Sequence, residues 1–433
     1  MKIHIAVLVA CGLAPVASAQ ATFHGDNARS GVYPTAGPAK FGGIKWTFKA
    51  SGPIVGSAAI AAGTVYVGDY GGHLHAIDQQ TGREKWNFKS SMPIASSPAV
   101  TDKAVYFVSS AGALAALDPV TGKPRWVFVA EYEKKFEAKN LHGYPPAAQT
   151  IPDAWDMYIS SPAVAQGKVF FGSGDGGVYA VDAESGVLQW KFSTGDVVHA
   201  SPAVANGTVF IGSWDGNLYA IDADSGRQRW VFKGGQDPAI HNQVGFQSSP
   251  AVVDGVVYVG CRDAHVYAID ANTGVKKWDY PTSKSWVNGT PAVRDGIVFV
   301  GTADSSRFMA LDARTGRLVF NFDARSYVFS SAALAGDSVY VGSHNGKLYA
   351  IDAKSGKLQW EFQTAAARQN TGRILNPDGS LNKDAFAPVF GDFQDMYVDF
   401  YRYTQIGAIM ASPVVDNDVV YIGSMDGNFY ALQ

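Results

Sequence analysis

Apolar residues in this chain come in short runs rather than long stripes. "VYVG" at 65–68, "VYFV" at 105–108, "VFFG" at 169–172, "VFIG" at 209–212, "VYVG" at 257–260, "VFVG" at 298–301, "VYVG" at 339–342 and "VYIG" at 420–423 are β-branched or aromatic and mostly end in glycine. Such runs predict short buried strands closed by tight turns. Ahead of each lies a second apolar stretch of the "SPAV" kind, at 57, 97, 161, 201, 249, 290, 331 and 412, always opening with Ser or Thr. Behind each comes a third, polar-capped pattern: "AIDQQTGREKW" (76–86), "ALDPVTGKPRW" (116–126), "AVDAESGVLQW" (180–190), "AIDADSGRQRW" (220–230), "AIDANTGVKKW" (268–278), "ALDARTGRLVF" (310–320) and "AIDAKSGKLQW" (350–360).

Each unit therefore reads as four short strands, A "SPAV", B "VYVG", C "LYAID" and D "W.F". Repetition at about 40 residues marks a scaffold rather than a site. An eighth unit is split between the ends: Ala431, Leu432 and Gln433 begin the motif, and Gly42 and Trp46 finish it. A last blade completed by the first strand leaves no sheet edge open. The expectation is an all-β, eight-bladed β-propeller of four-stranded antiparallel blades over 20–433. The spacing has a physical reason. Ala and Gly lack bulk, so the tryptophan of one blade lies on the backbone of the next, while Asp and Thr or Ser bond the C-to-D turn. Trp46, Trp86, Trp126, Trp190, Trp230, Trp278, Phe320 and Trp360 are the expected docking residues.

The AxDxxTGxxxW motif resembles the tryptophan-docking repeat of quinoprotein propellers, the pyrroloquinoline quinone (PQQ) repeat, across essentially the whole chain after residue 20. The lead-in "FHGDNARSG" (23–31) is similar to that of bacterial PQQ-like repeat proteins. The resemblance implies two functions. One is PQQ- and Ca²⁺-dependent oxidation of an alcohol or sugar; the other is the non-catalytic scaffolding of BamB-type propellers, which serve outer-membrane protein assembly. Fold alone does not choose between them.

Two long insertions interrupt the repeat, "VAEYEKKFEAKNLHGYPPAAQTIPDAWDMYI" (129–159) between blades 2 and 3, and 362–410 between blades 7 and 8. A shorter one, 233–247, joins blades 4 and 5. All are D-to-A connections, which emerge on one face of a four-stranded meander, so one face is expected to be decorated and the other bare. The insertions mix aromatics with polar groups: Tyr144, Trp155 and Tyr158 in the first, Phe393, Tyr397, Phe400, Tyr401 and Tyr403 in the second. Aromatic loops on a rigid ring suit recognition, which makes Trp155, Tyr158, Tyr397 and Tyr401 candidates for contacting a protein or small-molecule partner. The other reading has the insertions pack on each other as a lid.

Around the axis, the residues just ahead of each "SPAV" are Val55, Ala95, Ile159, His199, Gln247, Asn288, Phe329 and Met410. His199, Gln247 and Asn288 are the candidates for holding a small molecule where quinoproteins hold PQQ, with structural hydrogen bonding as the alternative. A PQQ site needs Ca²⁺ held by carboxylate and amide oxygens, plus an acid acting as base. Asn288 suits such a ligand, but no Asp or Glu takes a matching place on the neighbouring inner strands, and the vicinal Cys-Cys pair of many alcohol dehydrogenases is missing. The insertions supply Asp153, Asp156, Asp392, Asp395 and Asp399 instead.

The remaining features narrow the class. The opening "MKIHIAVLVACGLAPVASAQ" is expected to be a secretory signal cleaved after Ala19, with a lipoprotein box at Cys11 as the alternative, which places the protein in the periplasm or outside the cell. A net charge of −3 gives no basic field for nucleic acid. Beyond the signal Cys261 is the only cysteine, which excludes an internal disulfide and a CxxCH haem motif; it stands where other blades carry Ser. His73 and His75 share a strand face, but His75 takes the place of Tyr179, Tyr219, Tyr267, Tyr349 and Tyr430, so it reads as a replaced tyrosine rather than a metal ligand. No catalytic residue and no metal ligand is assigned. The expected role is binding or scaffolding by a monomeric propeller through its decorated face.

Overall fold

The structure is a computed structural model and describes residues 21–139, 141, 149–235, 245–386 and 393–433. The signal sequence with Cys11, Tyr144 and Asp392 lie outside the described residues, as do the side chains of 393–397. Eight four-stranded antiparallel sheets follow one another around a central axis, and a small two-stranded sheet belongs to the first insertion. Seven blades are continuous in sequence. The eighth pairs Ile44–Lys49 with Asn428–Leu432, setting Trp46 opposite Ala431 and Phe48 opposite Phe429, so the ring closes as the split motif requires.

Strands B and C are buried on both faces because each sheet is sandwiched between two others; Thr64–Gly68 and Val105–Ser109 are buried throughout. Strands D form the rim and alternate, as in Glu84–Lys89, where only Trp86 and Phe88 turn inward. The indole of Trp46 donates Nε1–H to the Gln79 carbonyl at 3.0 Å, and the same bond recurs from Trp86 to Pro119, Trp190 to Ala223 and Trp230 to Ala271. Beneath Trp46 lies Gly82, with φ +70°; a Cβ there would sit 2.7 Å from the indole, so glycine is required both by conformation and by contact. Gly122, Gly186, Gly226, Gly274 and Gly316 repeat this under the next five tryptophans. Trp360 departs from the pattern. Its Nε1 donates to Pro38 and its ring stacks on Phe41, while Gly42 instead meets the Gln433 backbone.

The face expected to be bare is not bare at the axis. Residues 21–33 run across it and accept or donate backbone hydrogen bonds at the inner strands: Val100 N–H to Ala21 O, Val204 to Asn27, Val252 to Ala28, Val293 to Ser30 and Leu334 to Gly31. These bonds satisfy donors that the short A strands leave free. Arg29, fully buried, donates to the carbonyls of Phe23, Ser161, Pro162 and Pro202 and to Thr22 Oγ1. Burial pulls its pKa down to about 9. The "FHGDNARSG" lead-in is thus an axial plug.

The Ser or Thr that opens every A strand also has a structural task. Ser57 N–H donates to Ser97 Oγ, Ser97 to Ser161, Ser161 to Ser201 and Ser201 to Ser249, and the chain of bonds resumes from Thr290 to Ser331, Ser412 and back to Ser57. A ring of hydroxyls therefore ties blade to blade at the axis.

Candidate functional site: the lidded axial chamber

Between the N-terminal plug and the decorated face lies a chamber of about 50 Å³, lined by the hydroxyl ring and by Val55, Ala95, Ile159, His199, Gln247, Asn288, Phe329 and Met410. The eight inner positions marked in the sequence do converge. What the sequence did not reveal is how the chamber is closed above them.

The first insertion folds back over the axis. Its hairpin, Glu137–Lys139 with Thr150–Pro152, is anchored by Phe136, whose ring lies flat on Trp214 at 4.3 Å and 6°. Phe136 N–H donates to Asp156 Oδ2, and Asp153 N–H to Phe136 O, so both aspartates are held rigidly under the lid. Asp156 Oδ1 accepts from His199 Nδ1 at 2.7 Å, and Glu133 Oε1 from His199 Nε2 at 2.6 Å. Burial pulls the imidazole toward neutrality, but Asp156 and Glu133 outweigh it and push its pKa up to about 10.

Beside it, Arg262 is fully buried between two indoles, 4.3 Å from Trp214 and 4.2 Å from Trp286. Its Nη1 bonds Asp153, and its Nε and Nη2 both bond Gln247 Oε1 at 3.0 and 2.8 Å. Gln247 Nε2 in turn donates to the Trp155 carbonyl at 2.9 Å. A planar cation with five donors, stacked on both faces, fixes the insertion in a way a lysine would not.

Trp155 packs edge-on against Tyr327, Phe329 and Tyr403, and lies near His344. Tyr403 belongs to the helix Phe393–Gln405 of the second insertion, so the two insertions do meet. His344, enclosed by Phe329 and Tyr403 rings at 4.7 and 5.1 Å, is pulled down by burial to about 4 and is neutral. Tyr158 reaches the Met410 carbonyl at 3.4 Å, and Tyr70 the Met157 carbonyl at 2.8 Å.

The candidates of the sequence thus divide. His199 and Gln247 are committed to the lid. Asn288 alone keeps both amide atoms without a partner among the described residues, facing the chamber. Trp155 and Tyr158 are part of the lid's interior packing. Tyr401 is 60 % exposed; the Tyr397 side chain lies outside the described residues. Besides Tyr401, the large apolar groups exposed on this side include Tyr132 of the first insertion and Val398, next to Tyr401 on the helix.

A PQQ does not fit this chamber. Small-molecule pockets run to roughly 300 Å³ or more, against about 50 Å³ here, and none of the lining residues is an acid able to hold Ca²⁺. Asp153 and Asp156 are turned to Arg262 and His199 instead.

Comparison with known proteins agrees with the repeat. The family profile described as outer membrane protein assembly factor BamB matches residues 36–142, 153–285 and 241–433. The crystal structure of BamB from Moraxella catarrhalis superposes with a TM-score of 0.64 at 17% identity, covering 90% of this chain and 97% of that one. Quinohemoprotein alcohol dehydrogenase from Comamonas testosteroni superposes with a TM-score of 0.67 at 15% identity, covering 96% and 80%. In sequence, the dehydrogenase subunit of alcohol dehydrogenase (quinone) from Gluconobacter oxydans is 34% identical over 88 residues, 17% of this chain and 12% of that relative, so the match spans about an eighth of the relative's length.

Proposed function

The chain belongs to the family described as outer membrane protein assembly factor BamB, and from that premise we propose that it is an exported, non-catalytic binding propeller that engages its partner with the insertion-bearing face. The observation that carries this reading is the lid. The axial mouth is filled by the chain's own Trp155, and the polar groups below it, His199 and Gln247, are spent on Asp156, Glu133, Arg262 and the Trp155 carbonyl. Binding energy is then available on the outer surface of the insertions, where Tyr401, Val398 and Tyr132 expose apolar area on a rigid base. The partner class is a protein, and the compartment is the periplasm, reached through the leader cleaved after Ala19.

The rival reading, a PQQ- and Ca²⁺-dependent dehydrogenase, has in Asn288 its one candidate with both amide atoms uncommitted at the chamber, but the closed chamber leaves a quinone no room. One experiment separates the two. A photo-crosslinking residue is placed at Tyr401, and another at Val120, an exposed position on a C-to-D turn of the opposite face; PQQ with Ca²⁺ is titrated into the same protein. A single adduct at Tyr401 and none at Val120, without quinone uptake, is the expected result. Saturable, Ca²⁺-dependent uptake of quinone lost in Asn288→Ala overturns the binding reading.

A further inference from the structure

Blade 1 breaks the repeat at several positions at once, and the breaks meet in space. Blades 3, 4 and 8 carry Ser, then Asp two residues later, then Tyr four beyond that: Ser173, Asp175 and Tyr179; Ser213, Asp215 and Tyr219; Ser424, Asp426 and Tyr430. In each the tyrosine hydroxyl donates to the aspartate. Blade 1 has Asp69 for the serine, Gly71 for the aspartate and His75 for the tyrosine, with His73 added between. The acid has moved two residues back, and two imidazoles now face it.

The resulting cluster is built. Asp69 is fully buried; its Oδ2 accepts from His75 Nε2 at 3.1 Å, from Ser51 N–H at 2.9 Å and from Ser51 Oγ at 2.6 Å. His73 Nδ1 lies 3.9 Å from Asp69 Oδ1 and 2.7 Å from Ser51 Oγ. The far nitrogen of His75, Nδ1, is bonded to Glu84 Oε1 at 2.6 Å. Phe48 packs edge-on against the His75 ring at 5.0 Å. A Cβ at Gly71 would fall 2.3 Å from Ser51 Oγ, so the aspartate of the other blades has no room there.

We propose that Asp69, His73 and His75 form a site for a divalent transition-metal cation of the zinc type. One ligand atom from each lies within 4.8 Å of the others. Four ligands about 2.0–2.1 Å from a tetrahedral zinc stand roughly 3.3 Å apart. His75 Nε2 stands 3.1 Å from Asp69 Oδ2 and His73 Nδ1 3.9 Å from Asp69 Oδ1. The imidazoles thus face different oxygens of one carboxylate and must draw together from a spread of up to 4.8 Å to hold an ion. Glu84 supplies the outer carboxylate that fixes the ring of a ligating histidine and leaves Nε2 to the metal. Asp69 and Glu84 together balance the double charge of the cation. His73, with its side chain a quarter exposed, gives the ion a way in and leaves a fourth position for water.

Ser51 lies in the link that leaves the closing strand Ile44–Lys49, while the three ligands belong to blade 1. An ion held in blade 1 would meet the seam between the last blade and the first only through the Asp69 carboxylate, whose Oδ2 accepts from Ser51 N–H and Oγ.

The test uses the full, untagged chain with Co²⁺ as the spectroscopic probe and Zn²⁺ for thermal shift. One equivalent of Co²⁺ should bind with a visible ligand-field band, Zn²⁺ should displace it, and Zn²⁺ should raise the melting temperature. The comparison protein is Asp69→Ser with His75→Tyr, which rebuilds in blade 1 the serine and tyrosine of blade 4 and leaves Gly71, where no side chain fits, unchanged. It should keep the circular dichroism of the wild type and lose the band and the thermal shift. His73→Ala should weaken binding at least tenfold. Absence of stoichiometric binding in the wild type, or equal binding by the rebuilt variant, overturns the assignment.

Discussion

His199 and Asp156 are hydrogen-bonded Nδ1 to Oδ1 at 2.7 Å across 43 residues of chain, and this contact ties the lid to the inner end of blade 4. Because the His199 pKa is pushed up from 6.5 to about 10, folding is favoured most while the imidazole is charged in the native state. The contribution is present in full below pH 6.5 and is lost as pH rises through 10. Wild type should lose stability between pH 7 and 10 more steeply than His199→Gln. Asp156→Asn should cost about 3–5 kcal/mol, since it leaves a buried charge poorly compensated. Melting curves of the three proteins across that range check both; parallel curves for wild type and His199→Gln would show that the histidine is neutral in the fold.

Arg262 carries the other half of the lid. Replacing it with lysine removes the stacking between Trp214 and Trp286 and leaves Gln247 with one donor at best. Arg262→Lys should destabilise by about 2–4 kcal/mol, with faster amide exchange in 130–139 and 149–158 while the docking strands stay protected. Uniform loss of protection would mean that the lid and the ring unfold as one.

The blades, their order and the closure were legible because each blade repeats the same packing problem and solves it with the same residues at the same offsets. Trp46 and Gly82 can be read from spacing alone, since their contact recurs around the ring. A lid was one of two readings of the insertions, but the contacts that make it were not legible, for the opposite reason. Asp156, Glu133 and His199 meet only once, and nothing local in "DMY" distinguishes an aspartate aimed at a buried imidazole from one in solvent. Arg29 was missed as well: a short polar lead-in gives no sign that it will cross an axis and lose all contact with water. The leading serines of the A strands were visible as a pattern, but their ring exists only after closure.

Closure can be tested apart from the plug. Trp46→Ala removes a docked indole and its bond to Gln79, and should cost about 3–5 kcal/mol. Deleting residues 21–33 leaves Trp46 in place but strips the bonds to Val100, Val204, Val252, Val293 and Leu334, so it should also destabilise while preserving the pairing of Ile44–Lys49 with Asn428–Leu432. Urea unfolding with exchange read at Asn428–Leu432 distinguishes them. A truncation that melts like the parent protein would show that the plug contributes nothing.

Phe320 fills the docking place of blade 6 with a smaller ring. It presses on Gly356, but it has no N–H to offer the Ala353 carbonyl, the counterpart of the Ala313 carbonyl that accepts from Trp278. Ala353 also lines a surface groove of about 670 Å³ together with Phe299 and Val319, the residue before Phe320. Phe320→Trp should therefore be neutral or stabilising by up to about 1 kcal/mol, since it adds buried area and one hydrogen bond. Trp230→Phe makes the opposite change in a slot shaped for indole and deprives Ala271 of its donor, so it should cost at least about 1 kcal/mol. Chemical denaturation of both variants decides the matter: comparable losses from the two would show that blades 6 and 7 have repacked around phenylalanine.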